Sequence, residues 1–151
     1  MANRMYLKMM TVMLLLLSVS FFNIACEHTQ PTTSSTTPSP LTPTFSSIQA
    51  NIFTPRCVNA GCHPGGAAPV DLALTANMSY GNLVNRQSAY GSPRLLRVSP
   101  GDANNSVLYL KVIGDARVGG IAGRMPLGQG ALSTDQINAI RDWINAGAQN
   151  N

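Results

Sequence analysis

The sequence predicts an all-α domain, a bundle of about four helices joined by glycine-rich loops. Apolar residues recur at helical spacing in several segments, most clearly at Ile137, Ile140, Trp143 and Ile144 near the C-terminus. All 13 glycines follow residue 60, and many of them lie in residues 114–130, where they predict a long loop. Helical periodicity and this loop together favour the all-α class.

The first 25 residues have the pattern of an export signal. Arg4 and Lys8 precede a nearly unbroken apolar run from residue 9 to residue 22. Residues 23–26 resemble the end of a bacterial lipoprotein signal, in which Cys26 becomes the lipidated first residue of the mature protein. An uncleaved membrane anchor is the alternative, although this apolar run is shorter than the ~20 residues that a membrane span needs.

Lipidation of Cys26 predicts an exported protein, anchored by lipid in the bacterial cell envelope on the periplasmic side. Glu27 stands where an aspartate retains many such lipoproteins at the inner membrane, so an outer-membrane site is favoured. Residues 26–45 are rich in Ser, Thr and Pro and predict a disordered tether. The folded domain is then expected to span residues 46–148, followed by a short tail at 149–151.

The net charge of the mature chain is close to neutral. The full sequence has a formal charge of +4, and removal of residues 1–25 takes away two basic residues and no acidic one, which leaves +2. The remaining sequence has no basic run and no basic helical stripe. Nucleic acid is therefore not an expected partner.

The first helix of the domain is predicted from Ser46 to about Thr54. Ser46 and Gln49 have the spacing of a capping box, and Phe45 is placed to pack back against the helix. Pro55 disfavours helical backbone at the residue before it, so the chain is expected to turn there.

The middle of the domain predicts a second helix at about residues 75–85. Its inward-facing residues are expected to be Leu74, Met78, Tyr80 and Leu83. Residues 95–98 predict a short extended piece, and residues 99–102, Ser-Pro-Gly-Asp, predict a turn.

Two more helices are predicted in the second half. The third begins at Asn104 or Asn105, either of which is a suitable N-cap, and stops at Gly114. The last begins after Ser133, which has Gln136 in the capping-box position, and Gly147 is its C-terminal stop.

Residues 57–63, Cys-Val-Asn-Ala-Gly-Cys-His, have the pattern of an attachment site for one covalent haem. In such a site two cysteines form thioethers with the porphyrin, and the histidine after the second cysteine binds the iron. The usual spacing is Cys-x-x-Cys-His, whereas four residues separate Cys57 from Cys62 here. Gly61 gives the longer loop an adjustable φ just before Cys62.

The second axial ligand is narrowed by the scarcity of candidates. His63 is the domain's one histidine, and Met78 and Met125 are its two methionines. Methionine commonly completes a histidine-ligated haem. Met125 is favoured because it lies in a glycine-flanked loop stiffened by Pro126, whereas Met78 is placed for helix packing. An iron with an open or water-filled position is the remaining alternative.

The domain resembles a class I monohaem cytochrome c of the planctomycete type found in exported bacterial proteins. The matching segments are Ile52-Phe53, Cys57…Cys62-His63, residues 82–85, residues 100–106, residues 123–126 and residues 140–147. The resemblance implies one haem c bound through Cys57 and Cys62, with His63 and Met125 as axial ligands. It also implies that the terminal helices cross.

The expected function is single-electron transfer between redox proteins of the envelope by a monomeric, non-enzymatic cytochrome. The alternatives are a haem enzyme or sensor with an open distal site, and a non-haem module that uses Cys57 and Cys62 as a disulfide or for copper handling. A blue-copper centre needs two histidines, and the domain has one. A structural zinc site needs four Cys or His ligands, and the domain has three.

Overall fold

Four α-helices, one π-helical segment, three single 3₁₀ turns and irregular loops make up the part of the chain that the computed structural model describes, residues 40–65, 72–91 and 94–151. These residues belong to one compact unit, Thr36–Asn151. The predicted signal at 1–25, the lipidation site Cys26 and most of the predicted tether lie outside the described residues. The all-α class is confirmed for the described ranges, which contain isolated β-bridges and no strand.

The first helix, α1 (Phe45–Ile48), continues directly into a π-helical segment, Gln49–Val58. Its N-cap is Thr44, whose Oγ1 accepts a hydrogen bond from the Ser47 N–H, so the predicted Ser46 cap is wrong. The predicted turn at Pro55 is also wrong, because Pro55 lies within the π-helical segment. Hydrogen bonds five residues apart, such as Asn59 N–H to Thr54 O, widen the turn and relieve the crowding that usually ends a helix at proline.

The second helix, α2 (Ser79–Leu83), is shorter than the predicted 75–85. Leu74 and Leu83 are buried as expected, but Met78 is 42% exposed, so the prediction that it faces inward is wrong. The extended piece at 95–98 is confirmed by isolated bridges from Val98 to Val84 and from Leu96 to Gln87.

The third helix, α3 (Val107–Ile113), ends at Gly114 with φ +75°, as predicted. Its predicted start is wrong, because Ala103–Asn105 forms a separate 3₁₀ turn capped by the Asp102 carboxylate. The predicted turn at residues 99–102 is confirmed by the hydrogen bond from Asp102 N–H to the Ser99 carbonyl, 3.0 Å long.

The last helix, α4 (Thr134–Asn145), matches its prediction most closely. Ser133 and Gln136 form both bonds of the capping box, and Gly147 follows the helix with φ +99°. Trp143 and Ile144 are buried on the face turned to the core. Between α3 and α4, the predicted long loop contains two 3₁₀ turns, Ala116–Val118 and Ile121–Gly123.

The core forms where α1 meets α4. The Phe45 ring lies 5.5 Å from the Trp143 ring and 5.1 Å from the Tyr80 ring, measured between centroids. Burial of each such side chain contributes about 1.5–3 kcal/mol. At the chain end, Asn151 accepts hydrogen bonds from the backbone of Phe45 and Ser46, so ordered contacts extend on both sides of residues 46–148.

No helix in the described ranges has the length and apolar character required to cross a membrane. The residues that follow α1 and those between α3 and α4 instead face each other across the interior of the domain, where they border a cavity.

Candidate functional site

His63 is fixed by hydrogen bonds at three atoms. Its backbone N–H donates to the Cys57 carbonyl over 2.9 Å, and its carbonyl accepts from Leu74 N–H over 3.0 Å. Its imidazole Nδ1 lies 2.9 Å from the Leu72 carbonyl. A carbonyl can only accept, so in the neutral imidazole Nδ1 carries the proton and Nε2 has the free lone pair. Nε2 is therefore the nitrogen that can bind a metal.

A buried glutamine supports the backbone that orients His63. Gln49, in the π-helical segment, donates to the Leu74 carbonyl over 3.0 Å and to Thr54 Oγ1 over 3.1 Å. Its own oxygen accepts from Ser79 Oγ over 2.6 Å. Both Gln49 and Ser79 are buried, so these bonds are shielded from water. The network ties the π-helical segment and α2 to the residues that orient the imidazole.

The two cysteines are free thiols at the end of the π-helical segment and in the loop after it. Gly61, just before Cys62, adopts φ +78°, a conformation that L-residues rarely take. Burial is the main cause that raises the pKa of the Cys57 thiol to about 11, and the neighbouring Cys62 raises it further while Arg56 lowers it. Cys57 is therefore protonated at neutral pH.

Met125 is attached to α3 by its backbone. Its N–H donates to the Lys111 carbonyl over 2.9 Å. Met125 is half-buried, the following Pro126 is buried, and the peptide bond between them is cis. The loop therefore has a fixed attachment at the residue that the sequence singles out as a ligand.

All four residues predicted to bind haem in the domain, Cys57, Cys62, His63 and Met125, line one cavity of about 550 Å³. This volume is within the range of about 300–1,000 Å³ that is typical of cofactor pockets. The other predicted methionine candidate, Met78, is not among the described residues that line it. The apolar part of the lining includes Ile52, Phe53, Leu72, Leu74, Leu83, Ala89, Val107, Leu108, Val112, Pro126, Leu127, Leu132 and Ile140.

The charged residues of this lining are all basic in the described part of the chain: Arg56, Arg97 and Lys111. Arg97 donates to the Asn82 carbonyl over 2.9 Å. The Lys111 ammonium lies 3.9 Å from the centre of the Tyr90 ring. Burial lowers the pKa of Lys111. A ligand with an apolar body and anionic groups would match such walls.

Arg56 has a buried polar atom that lacks a hydrogen-bond partner. Its Nη2 donates to the Gly130 carbonyl over 2.7 Å, but its buried Nε finds no acceptor among the described residues. An unsatisfied buried N–H is unusual in a native protein and is consistent with an acceptor supplied by a ligand. In the described ranges, no three His, Cys, Asp or Glu side chains cluster in a way that could hold a metal ion.

Arg56, Lys111 and Gln49 are the site residues that the sequence did not reveal. The only feature of the sequence that could have identified Arg56 is its position beside Cys57, and that position does not predict where the guanidinium lies. Lys111 lies on a helix where a lysine is ordinarily solvated. Gln49 matched a capping box in sequence, but its side chain is engaged in the core instead.

Comparison with known proteins gave no relatives: no family model, no curated protein and no solved structure matches this chain.

Proposed function

We propose that this protein is an exported, lipid-anchored monohaem cytochrome c that carries single electrons between redox proteins of the cell envelope. One haem c is bound covalently through Cys57 and Cys62, and its iron is ligated by His63 and Met125. The domain has the class I cytochrome c fold, acts as a monomer and is not an enzyme.

The observation that carries the proposal is the convergence of four residues on one cavity. Met125 is 62 residues from His63 in sequence, yet both line the same space as Cys57 and Cys62. The imidazole is held in the tautomer that leaves Nε2 free. A disulfide or a thiol-redox site would require the two cysteines alone, so it would leave both the apolar cavity and the methionine loop without a role.

The chemistry of the cavity fits both the apolar part and the anionic part of haem. Haem has an apolar macrocycle and two carboxylates, and the cavity has mainly apolar walls together with Arg56, Arg97 and Lys111. The buried, unpartnered Arg56 Nε supplies a donor for an anionic group. Cys57, Cys62 and His63 all line the cavity, so one segment of the chain would supply both thiols and the imidazole nitrogen.

Electron transfer follows from the ligand set. When bound, haem supplies the one-electron chemistry, and a methionine ligand raises its reduction potential. His63 and Met125 would fill both axial positions, which leaves none for a substrate. The apolar walls favour the form with the smaller charge, the ferrous state, and a positive potential is expected.

The location proposed for the protein depends on residues 1–26, outside the described ranges. The export signal and Cys26 would place the domain on the periplasmic side of the envelope, with the outer membrane favoured. The Ser, Thr and Pro-rich residues that follow would allow the domain to reach both a donor and an acceptor.

Covalent haem is tested by expressing the protein in a host with a haem-attachment system and staining a denaturing gel for haem peroxidase activity. Wild type should stain, because thioether-bound haem survives denaturation. Cys57→Ala together with Cys62→Ala should not stain. Cys26→Ala is the matched control, since it removes the lipidation site and a cysteine but should stain normally. An unstained wild-type band beside a stained host cytochrome contradicts the proposal.

A further inference from the structure

We propose that Arg56 is a latch: its hydrogen bonds hold the methionine loop against the haem-attachment segment and so would keep Met125 in place as a ligand of the haem. This inference rests on the proposed function and adds a positioning residue to it. Arg56 directly precedes Cys57, and its role would be to join the haem-attachment segment to the loop that follows Met125.

Two hydrogen bonds form the latch. The Arg56 guanidinium donates through Nη2 to the Gly130 carbonyl over 2.7 Å. In return, the Gln129 side chain donates through Nε2 to the Arg56 carbonyl over 3.4 Å. These bonds join segments that lie more than 70 residues apart in sequence and that border the same cavity.

The latch completes the attachment of the loop at its second end. The first end is held by α3, where the Lys111 carbonyl accepts from Met125 N–H over 2.9 Å. Between the two attachments Pro126 is buried, but residues 127–129 are exposed, and Leu127 is 56% exposed. Without the bond to Gly130, only the longer Gln129 bond would join this end of the loop to the haem-attachment segment.

Restraint of this loop matters because a thioether is a neutral, weakly basic ligand. The fraction of time that Met125 stays bound therefore depends on how closely the protein holds its sulfur to the iron. A loop released at Gly130 samples positions in which the sulfur has withdrawn. External ligands would then compete for the iron more effectively, although the haem stays covalently attached and His63 is untouched.

The experiment compares Arg56→Gln, Arg56→Lys and Gln129→Ala with Arg86→Gln in the full-length protein. Arg86 is the matched control, because its Nε makes the same kind of exposed bond to a backbone carbonyl, that of Gly81, over 2.8 Å. Gln129→Ala removes one bond of the latch and keeps the Arg56 charge, so it separates positioning from electrostatics.

The first measurement is the affinity of the ferric protein for added imidazole. Arg56→Gln should bind imidazole about tenfold more tightly than wild type, the effect of one lost hydrogen bond from a charged donor. Gln129→Ala and Arg56→Lys should show smaller increases, and Arg86→Gln should match wild type. Equal affinities in wild type, Arg56→Gln and Gln129→Ala would overturn the latch.

The second measurement is amide hydrogen exchange at Met125 and Gln129, which needs no haem. Arg56→Gln should speed exchange at Gln129, whose N–H donates to the Pro126 carbonyl within the loop. Faster exchange in a chain that gains no covalent haem in a haem-competent host would support the loop contact while refuting the cytochrome. Unchanged exchange and unchanged imidazole affinity in a haem-loaded chain would refute the latch while leaving the cytochrome intact.

Discussion

One hydrogen bond decides which nitrogen of His63 can bind a metal. In the neutral imidazole the Leu72 carbonyl, 2.9 Å from Nδ1, keeps the proton on that nitrogen and leaves the lone pair on Nε2. Such a bond also strengthens the imidazole as a ligand, because the acceptor draws on the Nδ1 proton and leaves more electron density on the ring and on Nε2. At the residue scale, the chemistry of the site therefore depends on a backbone carbonyl as much as on the histidine.

Met125 and Met78 give a direct test of the distal ligand. Met125→Ala should abolish the long-wavelength band that the cytochrome resemblance implies for methionine-bound ferric haem, and should lower the reduction potential. Met78→Ala is the control, because Met78 is 42% exposed and is not among the described lining residues. Absorption spectra and a potentiometric titration measure both effects. Loss of the band in Met78→Ala, with the band unchanged in Met125→Ala, would show that Met78 is the ligand and would contradict the proposal.

The thiol of Cys57 should react slowly in protein made without haem. Burial, with a smaller contribution from Cys62, raises its pKa from 9.0 to about 11, so at pH 8 the thiolate fraction in wild type falls by up to about a hundredfold. Replacement of Cys62 removes only the smaller of these two causes, so the reaction should remain slow. A chain with Cys26→Ala and Cys62→Ala leaves Cys57 as the sole thiol, and alkylation by iodoacetamide can then be followed by mass spectrometry. Unfolding in guanidinium should restore the rate of an ordinary cysteine. A native rate equal to the unfolded rate would show that Cys57 is not buried.

At the scale of elements, the π-helical segment Gln49–Val58 performs two tasks. At its start it directs Gln49 into the core, and at its end it brings Arg56 and Cys57 to the cavity wall. π-helical turns are often found at functional sites. Here the wider register also accommodates Pro55, which an α-helix interior would exclude.

Replacement of Gln49 should destabilise the domain strongly. Gln49→Leu leaves the Ser79 hydroxyl and the Leu74 carbonyl buried with fewer partners, at a cost of about 2 kcal/mol or more in the free energy of unfolding. Gln136→Ala, which removes an exposed bond of the α4 capping box, should cost less than ~1 kcal/mol. Urea denaturation followed by Trp143 fluorescence measures both. Equal losses would mean that the buried network contributes no more than a surface cap.

The 3₁₀ turn after α3 should respond to acid through Asp115. Hydrogen bonds from the Arg117 side chain, and then from its backbone, lower the pKa of Asp115 below the ordinary 3.8. A lowered folded-state pKa stabilises the fold at pH values above 3.8, and this contribution is lost as the pH falls through the folded-state value. Carboxyl NMR titration should give a pKa below 3.8 in wild type and a higher one in Arg117→Gln. An unshifted wild-type value would contradict the contact.

At the scale of the whole molecule, the sequence predicted those helix boundaries that are set by residues close together in the chain. The α4 helix begins at Ser133 and stops at Gly147 as expected, because its caps and its apolar face lie within a few residues of each other. Gly114 ends α3 for the same reason. The residues proposed to bind haem also needed only local spacing and the scarcity of histidine and methionine.

Features set by distant contacts escaped prediction. Asn151, at the other end of the described chain, accepts hydrogen bonds from the backbone N–H groups of Phe45 and Ser46. These bonds help α1 to begin before Ser46. The Arg56 bond to Gly130 spans 74 residues, and the Gln49 bond to Leu74 spans 25. No local pattern encodes a partner at such a separation. The cavity itself required the fold, because its walls come from the π-helical segment, from α2, α3 and α4, and from loops between them.

The most direct test is intact-mass measurement under denaturing conditions, made on the mature protein from a haem-competent host. Attachment through Cys57 and Cys62 predicts a mass gain of one haem per chain and two thiols protected from alkylation. The measurement contradicts the account if the chain has the mass of polypeptide and lipid alone, with Cys57 and Cys62 either free to alkylate or joined to each other.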